Sequence, residues 1–123
     1  MEKQRKFENL LVWQRSVLMT KKIYFYFHAL DDFGFRNQIQ RASISISNNI
    51  AEGFDRKSDR EFKRFLSIAI GSTSEVKSMV FIAFHLGYIN EPDQRELVGH
   101  LDVIGKMINS LINFLNKELE KNK

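Results

Sequence analysis

The chain has 123 residues, 43% hydrophobic and 28% charged, with one proline, six glycines and no cysteine. This composition excludes a disulfide framework and a cysteine-ligated metal. It argues against a loop-rich β protein and fits one globular domain over residues 1–123. Nineteen Lys and Arg against fifteen Asp and Glu give a formal charge of +4, which suits either a plain solvated surface or a footprint for a polyanion.

The N-terminal stretch MEKQRKFENLLVWQRS mixes charges of both signs and lacks the apolar core and small-residue cleavage site of a secretory signal. No run reaches the roughly 18 apolar residues that span a bilayer. The expectation is a cytoplasmic protein with no membrane partner.

Four helices follow from period and punctuation. The first is expected from Asn9 to Leu30, with Leu10, Trp13, Val17, Thr20, Tyr24 and Phe27 on one face and Asn9 capping the first turn. Leu11, Leu18 and Phe25 add a second row. Asp31-Asp32-Phe33-Gly34 breaks the pattern, and a second helix is expected from Phe35 to Phe54, with Ile39, Ala42, Ile46, Ile50 and Gly53 inward. Ser43 to Ser47 alternates with period two, as a strand does. Helical spacing continues on both sides and nothing else in the chain alternates to partner it, so the helix is preferred. Ser58 and Glu61 form an S-x-x-E capping box. After it Phe62, Leu66, Ala69, Thr73, Val76, Val80 and Ala83 repeat by threes and fours up to Gly87, which can close the helix left-handed. The last helix opens at Asn90 with Pro92 in its first turn. It carries Leu97, Leu101, Ile104, Ile108, Leu111 and Leu115, and a charged tail runs from Lys117 to Lys123. Short connections make consecutive helices antiparallel, so the expected fold is all-α, an up-down-up-down four-helix bundle.

Helix 3 has a second apolar row, Phe65, Ile68, Met79, Ile82 and Leu86, and helix 1 has Phe25 and Tyr26 beyond its main seam. Either eleven phenylalanines fill a fat core or the surplus forms a self-association surface. The interface expected on the second reading is Phe25, Phe65, Ile68, Met79 and Ile82.

Helix 2 also carries a polar stripe, Gln38, Arg41, Ser45, Asn49 and Glu52. Counting outward from the turn near residue 56 sets Gln38 and Arg41 level with Ser72 and Glu75, and Asn49 and Glu52 level with Arg60 and Arg64. The pairs expected are Arg41 with Glu75, and Glu52 with Arg60 or Arg64. A polar network that fixes register and a ligand site between helices both fit the stripe.

Three ordered motifs carry a resemblance. They are Phe7-x-x-Leu10-x-Val12-Trp13-Gln14, then Gln38-x-x-Arg41-Ala42-x-x-Ser45-Ile46-x-x-Asn49-Ile50-Ala51-Glu52-Gly53, then Phe65-Leu66-x-Ile68-Ala69-x-Gly71-Ser72-x-x-Glu75. With Leu86-Gly87-Tyr88-Ile89 they resemble the bacterial four-helix-bundle family of 23S rRNA-intervening-sequence proteins. Ser47 departs from the proline many members carry. The resemblance implies small bundles that assemble as homo-oligomeric rings, typically pentamers. Some members are encoded within intervening sequences of the large-subunit rRNA gene. A related group of basic bundles engages nucleic acid and a reverse transcriptase in diversity-generating retroelements. The resemblance supplies no catalytic residues.

Arg56, Lys57, Arg60, Lys63 and Arg64 cluster where helix 2 meets helix 3, among Asp55, Asp59 and Glu61. The local balance is five against three, or +2. Arg56 and Lys57 have no obvious acidic partner, which makes them the preferred phosphate contacts. A ring would repeat this corner around a rim and make it multivalent.

No phosphate loop, paired E-x-x-H or Ser-His-Asp set is present, and no catalytic residue, cofactor or metal is expected. Glu96 and His100 stand four apart as a chance surface pair, while His28 and His85 are expected to be packed among apolar neighbours. The functional expectation is a non-enzymatic, ring-forming bundle that binds RNA or DNA. The alternative is an oligomeric scaffold for another protein with no nucleic-acid role.

Overall fold

A computed structural model describes residues 6–122; residues 1–5 and Lys123, which bear on the expected domain limits and the charged tail, lie outside it. After a 3-10 turn at Phe7–Asn9 come α1 (Leu11–Phe27), α2 (Phe33–Asp55), α3 (Asp59–His85) and α4 (Glu91–Lys121). No strand occurs among the described residues. Each helix packs on its chain neighbours and α4 closes back on α1, so α1 and α3 lie diagonally across an all-α four-helix bundle.

The inward rows expected on α2 and α3 are all buried, and on α4 only Leu111 stays half-buried. The face of α1 is rotated from expectation. Val12, Ser16, Met19, Ile23 and Phe27 point inward, while Tyr24 is exposed. Ser16 makes this possible by donating its hydroxyl to the Val12 carbonyl at 2.8 Å, which hides its polarity on the helix itself. The serines of α2 use the same device. Ser43 donates to the Gln40 carbonyl at 2.8 Å and Ser47 to the Ile44 carbonyl at 3.2 Å, so a period-two sequence is accommodated in a helix.

The helix ends differ from expectation in three details. Leu10 occupies the cap position of α1 with no side-chain cap bond, so Asn9 does not cap it; Asn9 belongs to the 3-10 turn. Ser58 accepts from the Glu61 N–H at 3.3 Å, but the Glu61 carboxylate turns to Arg64, leaving half a capping box. The charged tail is helical through Lys121, because Leu115 and Leu119 continue the inward stripe of α4. Asp32 and Asn90 cap α2 and α4 through their side-chain oxygens.

Contrary to the expectation that no segment is long and apolar enough to cross a membrane, α3 is, by length and composition. The physical reason for its apolarity is packing. Its main row, from Phe62 to Ala83, lies in the bundle core against both neighbouring helices.

Candidate functional site

The α2–α3 seam is built around a glycine. A Cβ placed on Gly53 would stand 2.5 Å from the Phe65 Cβ, so only glycine allows this approach. Midway along the seam the Ser45 and Ser72 hydroxyls meet at 2.9 Å. Asn49 donates to the Ser45 carbonyl at 2.8 Å and to its hydroxyl at 3.0 Å. These three half-buried residues satisfy one another, which offsets the poor helix propensity of Ser and Asn.

The two ends of the expected stripe behave differently. Gln38, not Arg41, reaches Glu75, donating at 3.4 Å. No ion pair joins Arg41 to Glu75 among the described residues. Arg41 is exposed, where a hydrated guanidinium gains little from pairing. Both line an open polar groove with Asn37, Gln38, Ala42 and Ser45. Glu52 pairs with Arg56 on its own helix at 3.1 Å, and Arg64 with Glu61 on its own at 3.1 Å. The expected cross-seam pair of Glu52 with Arg60 or Arg64 is therefore absent. The Phe65 ring lies between the two pairs, with the Arg56 and Arg64 guanidiniums 5.0 and 4.6 Å from its centroid. The hydrogen bond from Arg64 holds the Glu61 carboxyl below the usual carboxylate range and raises the Arg64 guanidinium in turn.

This rearranges the basic corner. Arg56 has an acidic partner after all, one turn back at Glu52, a spacing visible in the sequence as i,i+4. Lys63 donates to the Asn116 amide oxygen at 2.9 Å. Lys57 and Arg60 are exposed and have no carboxylate partner among the described residues. Lys57 is also the one non-glycine residue among them with positive φ, at 61°. It ends α2 where Gly87, at φ 78°, ends α3. The Gly87 site is the cheaper form, with the Tyr88 N–H reaching back to the Ala83 carbonyl at 2.8 Å. An L residue in this conformation costs about 1–2 kcal/mol. The turn places a cation at its tip, the Lys57 ammonium 5.9 Å from the Phe54 ring centroid.

A second polar cluster, not anticipated from sequence, ties α1 to α4. The Tyr26 hydroxyl donates to one Glu96 carboxylate oxygen at 2.5 Å and Lys22 to the other at 3.0 Å. The hydrogen bond to Glu96, reinforced by burial, pushes the Tyr26 phenol up to about 12. The same bond, followed by that from Lys22, holds Glu96 below the usual carboxylate range. His100 lies 3.8 Å from Glu96. The partners are 70 and 74 residues apart, so no local spacing announces them. His28 and His85 are exposed, not packed, because both sit at the C-terminal end of a helix, beyond the buried rows. No group of three metal-ligating side chains occurs among the described residues.

Of the expected interface residues, Phe65 and Met79 are buried within the chain, Phe65 under the close approach of Gly53. Phe25, Ile68 and Ile82 remain exposed, as do Leu11, Leu18, Leu86 and Phe114.

The solved structure of a protein of unknown function from the S23 ribosomal protein family of Bacteroides thetaiotaomicron superposes with a TM-score of 0.78. It is 24% identical in sequence, and the match covers 83% of this chain and 98% of that one, a likeness that shows the fold. No curated protein matches the sequence. The profile of the 23S rRNA-intervening sequence proteins matches residues 8–110, and the chain belongs to that family.

Proposed function

We propose that this family member is a non-enzymatic, self-assembling bundle that binds the backbone of RNA or DNA through the α2–α3 corner. The observation that carries the reading is the pair Lys57 and Arg60, exposed cations without carboxylate partners, one of them held in a strained conformation at the turn. Strain kept where a glycine would relieve it points to a side chain in use. The paired Arg56 and Arg64 contribute charge at the corner's edge, and Lys63 adds to it from the α4 side. The non-enzymatic part is supported by the α2–α3 seam, whose hydroxyl and amide groups bond one another and leave none poised for chemistry.

Assembly into a ring would array this weakly basic corner around one rim and raise its avidity for a polyanion. The test is a gel-shift against structured RNA and duplex DNA across a salt series, for wild type and a Lys57→Gly, Arg60→Ala double variant. The double variant should bind more weakly, its log–log salt slope flatter by roughly 0.7–0.9 per lost contact. Its fold and assembly should be unchanged. If wild type binds neither polymer near physiological salt, the nucleic-acid reading fails. An oligomeric scaffold for a protein partner then takes its place, a reading favoured by the exposed apolar rows.

A further inference from the structure

The two seams that flank α3 treat their glycines in opposite ways. Gly53 closes the α2–α3 seam so tightly that a Cβ would stand 2.5 Å from the Phe65 Cβ. Gly105, on the α3–α4 seam, has nothing within 4 Å of the place its Cβ would take. Gly71, Gly87 and Gly99 share that freedom, but they are exposed, whereas Gly105 is half-buried. Gly105 therefore borders a gap in the seam, not open water on the outside of the bundle. The groove there has a volume of about 320 Å³, within the roughly 300–1,000 Å³ of small-molecule sites. Glycine in a helix interior is destabilising relative to alanine, and a side chain at 105 would occupy the groove and bury more apolar surface. Neither the positive φ of Gly87 nor the close approach of Gly53 accounts for this glycine.

The groove has an apolar floor and a basic rim. On the floor Leu101 is fully buried and Ile70 half-buried. Thr73 adds no free polar group, because its hydroxyl donates to the Ala69 carbonyl at 2.8 Å. On the rim Lys77 donates to Asp102 across the seam at 2.7 Å. Asp102 also stands one turn before Lys106, the i,i+4 spacing of an ion pair along a helix. Its carboxylate closes on Lys77 instead, and Lys106 has no carboxylate partner among the described residues. Asn109, three residues further on, makes no side-chain hydrogen bond among them either. Two lysines against one aspartate leave the rim with one net positive charge, and it resides on Lys106.

We infer that the α3–α4 groove is a binding site for a small organic anion, whose apolar body seats on Leu101 and Ile70 in the space left by Gly105 and whose carboxylate or phosphate meets the Lys106 ammonium and the Asn109 amide. The floor selects an apolar body and the rim a single anionic head, the usual division of labour in small-molecule sites. The site shares no residue with the α2–α3 corner, so it stands or falls apart from the nucleic-acid reading.

The test is an NMR titration of the isotope-labelled full chain with phenylacetate, phenyl phosphate and the neutral phenylethanol. At least one anion should shift the Leu101 and Asn109 amide signals saturably, and the one that saturates first tells carboxylate from phosphate. Phenylethanol should bind about fivefold more weakly, and the anions should lose about as much on Lys106→Ala, the upper worth of one exposed ion contact. Gly105→Leu fills the groove, so it should melt higher than wild type and show no saturable shift. If that variant does not fold, Gly105→Ala carries the test, with a higher Tm and weaker binding. A wild type that neither anion shifts saturably, or Gly105 variants that bind as wild type does, overturns the site. Equal affinity for phenylethanol, or binding unchanged in Lys106→Ala, overturns its choice of anions.

Discussion

The two seams that close the bundle on opposite sides are made differently. Along α2–α3 the contact is steric: Gly53 lies against Phe65, and the Ser45–Ser72–Asn49 group completes it with neutral hydrogen bonds. Along α1–α4 the contact is electrostatic: Tyr26 and Lys22 close on Glu96, with exposed Leu18, Phe25 and Val103 nearby. A glycine seam tolerates no added atom but is indifferent to pH. A carboxylate clasp tolerates side-chain change but responds to protonation. The first suits a permanent scaffold, and the second leaves an edge whose apolar row is open to a neighbour.

The largest expected effect breaks the steric seam. Gly53→Ala would gain up to about 1 kcal/mol of helix propensity. It would also drive a Cβ into the Phe65 Cβ, which cannot move without α3, and overpacking of this kind costs about 1–3 kcal/mol. A net loss of up to about 2 kcal/mol should appear as a lower Tm. Gly71→Ala is the control. With nothing within 4 Å of its Cβ it should raise the stability of the isolated chain by about 0.5–1 kcal/mol. If the two substitutions behave alike, the seam is not set by Gly53.

Next comes the clasp. Tyr26→Phe removes the hydroxyl on Glu96 and should cost about 1 kcal/mol at neutral pH. The pH dependence has two arms. Tyr26 is raised from 10.0 to about 12, so its contribution is complete below pH 10 and is lost as pH rises through about 12. Glu96 is lowered from 4.5, so its contribution is present above pH 4.5 and is lost as pH falls through its depressed value. The difference in Tm between wild type and Tyr26→Phe, followed across pH, should be flat between these limits and shrink beyond both. Taking the difference removes the similar but separate Tyr88–Asp32 pair, whose hydrogen bond is present in both proteins. A difference that does not vary with pH would mean that the clasp contributes through packing alone.

The smallest effect concerns Arg41. Exposed and without an ion pair to Glu75, it should lose less than about 0.5 kcal/mol on Arg41→Ala in the isolated chain. A loss of several kcal/mol in a thermal melt would restore the buried pair that simple counting along the helices predicts.

Much of this protein was determined by its sequence alone. The row from Phe62 to Ala83, the Ser58 and Asn90 caps and Gly87 all follow from local physics: helical period, side-chain oxygens near free N–H groups, and the freedom of glycine at positive φ. That Gln38 and Arg41 lie level with Glu75 was also legible, because register counts outward from a short turn. Tertiary structure decided the rest. The inward face of α1 turned on Ser16 hiding its hydroxyl against its own backbone, which a polarity pattern scores as polar. Glu75 took Gln38 in place of Arg41, because pairing among long exposed side chains depends on distances of a few ångströms. Tyr26 found Glu96 across 70 residues, and Lys57 was left with positive φ by the geometry of a turn. Period and capping act within a few residues of chain. Which charges stay unpaired, and which apolar rows stay uncovered, is settled only when all four helices have taken their places.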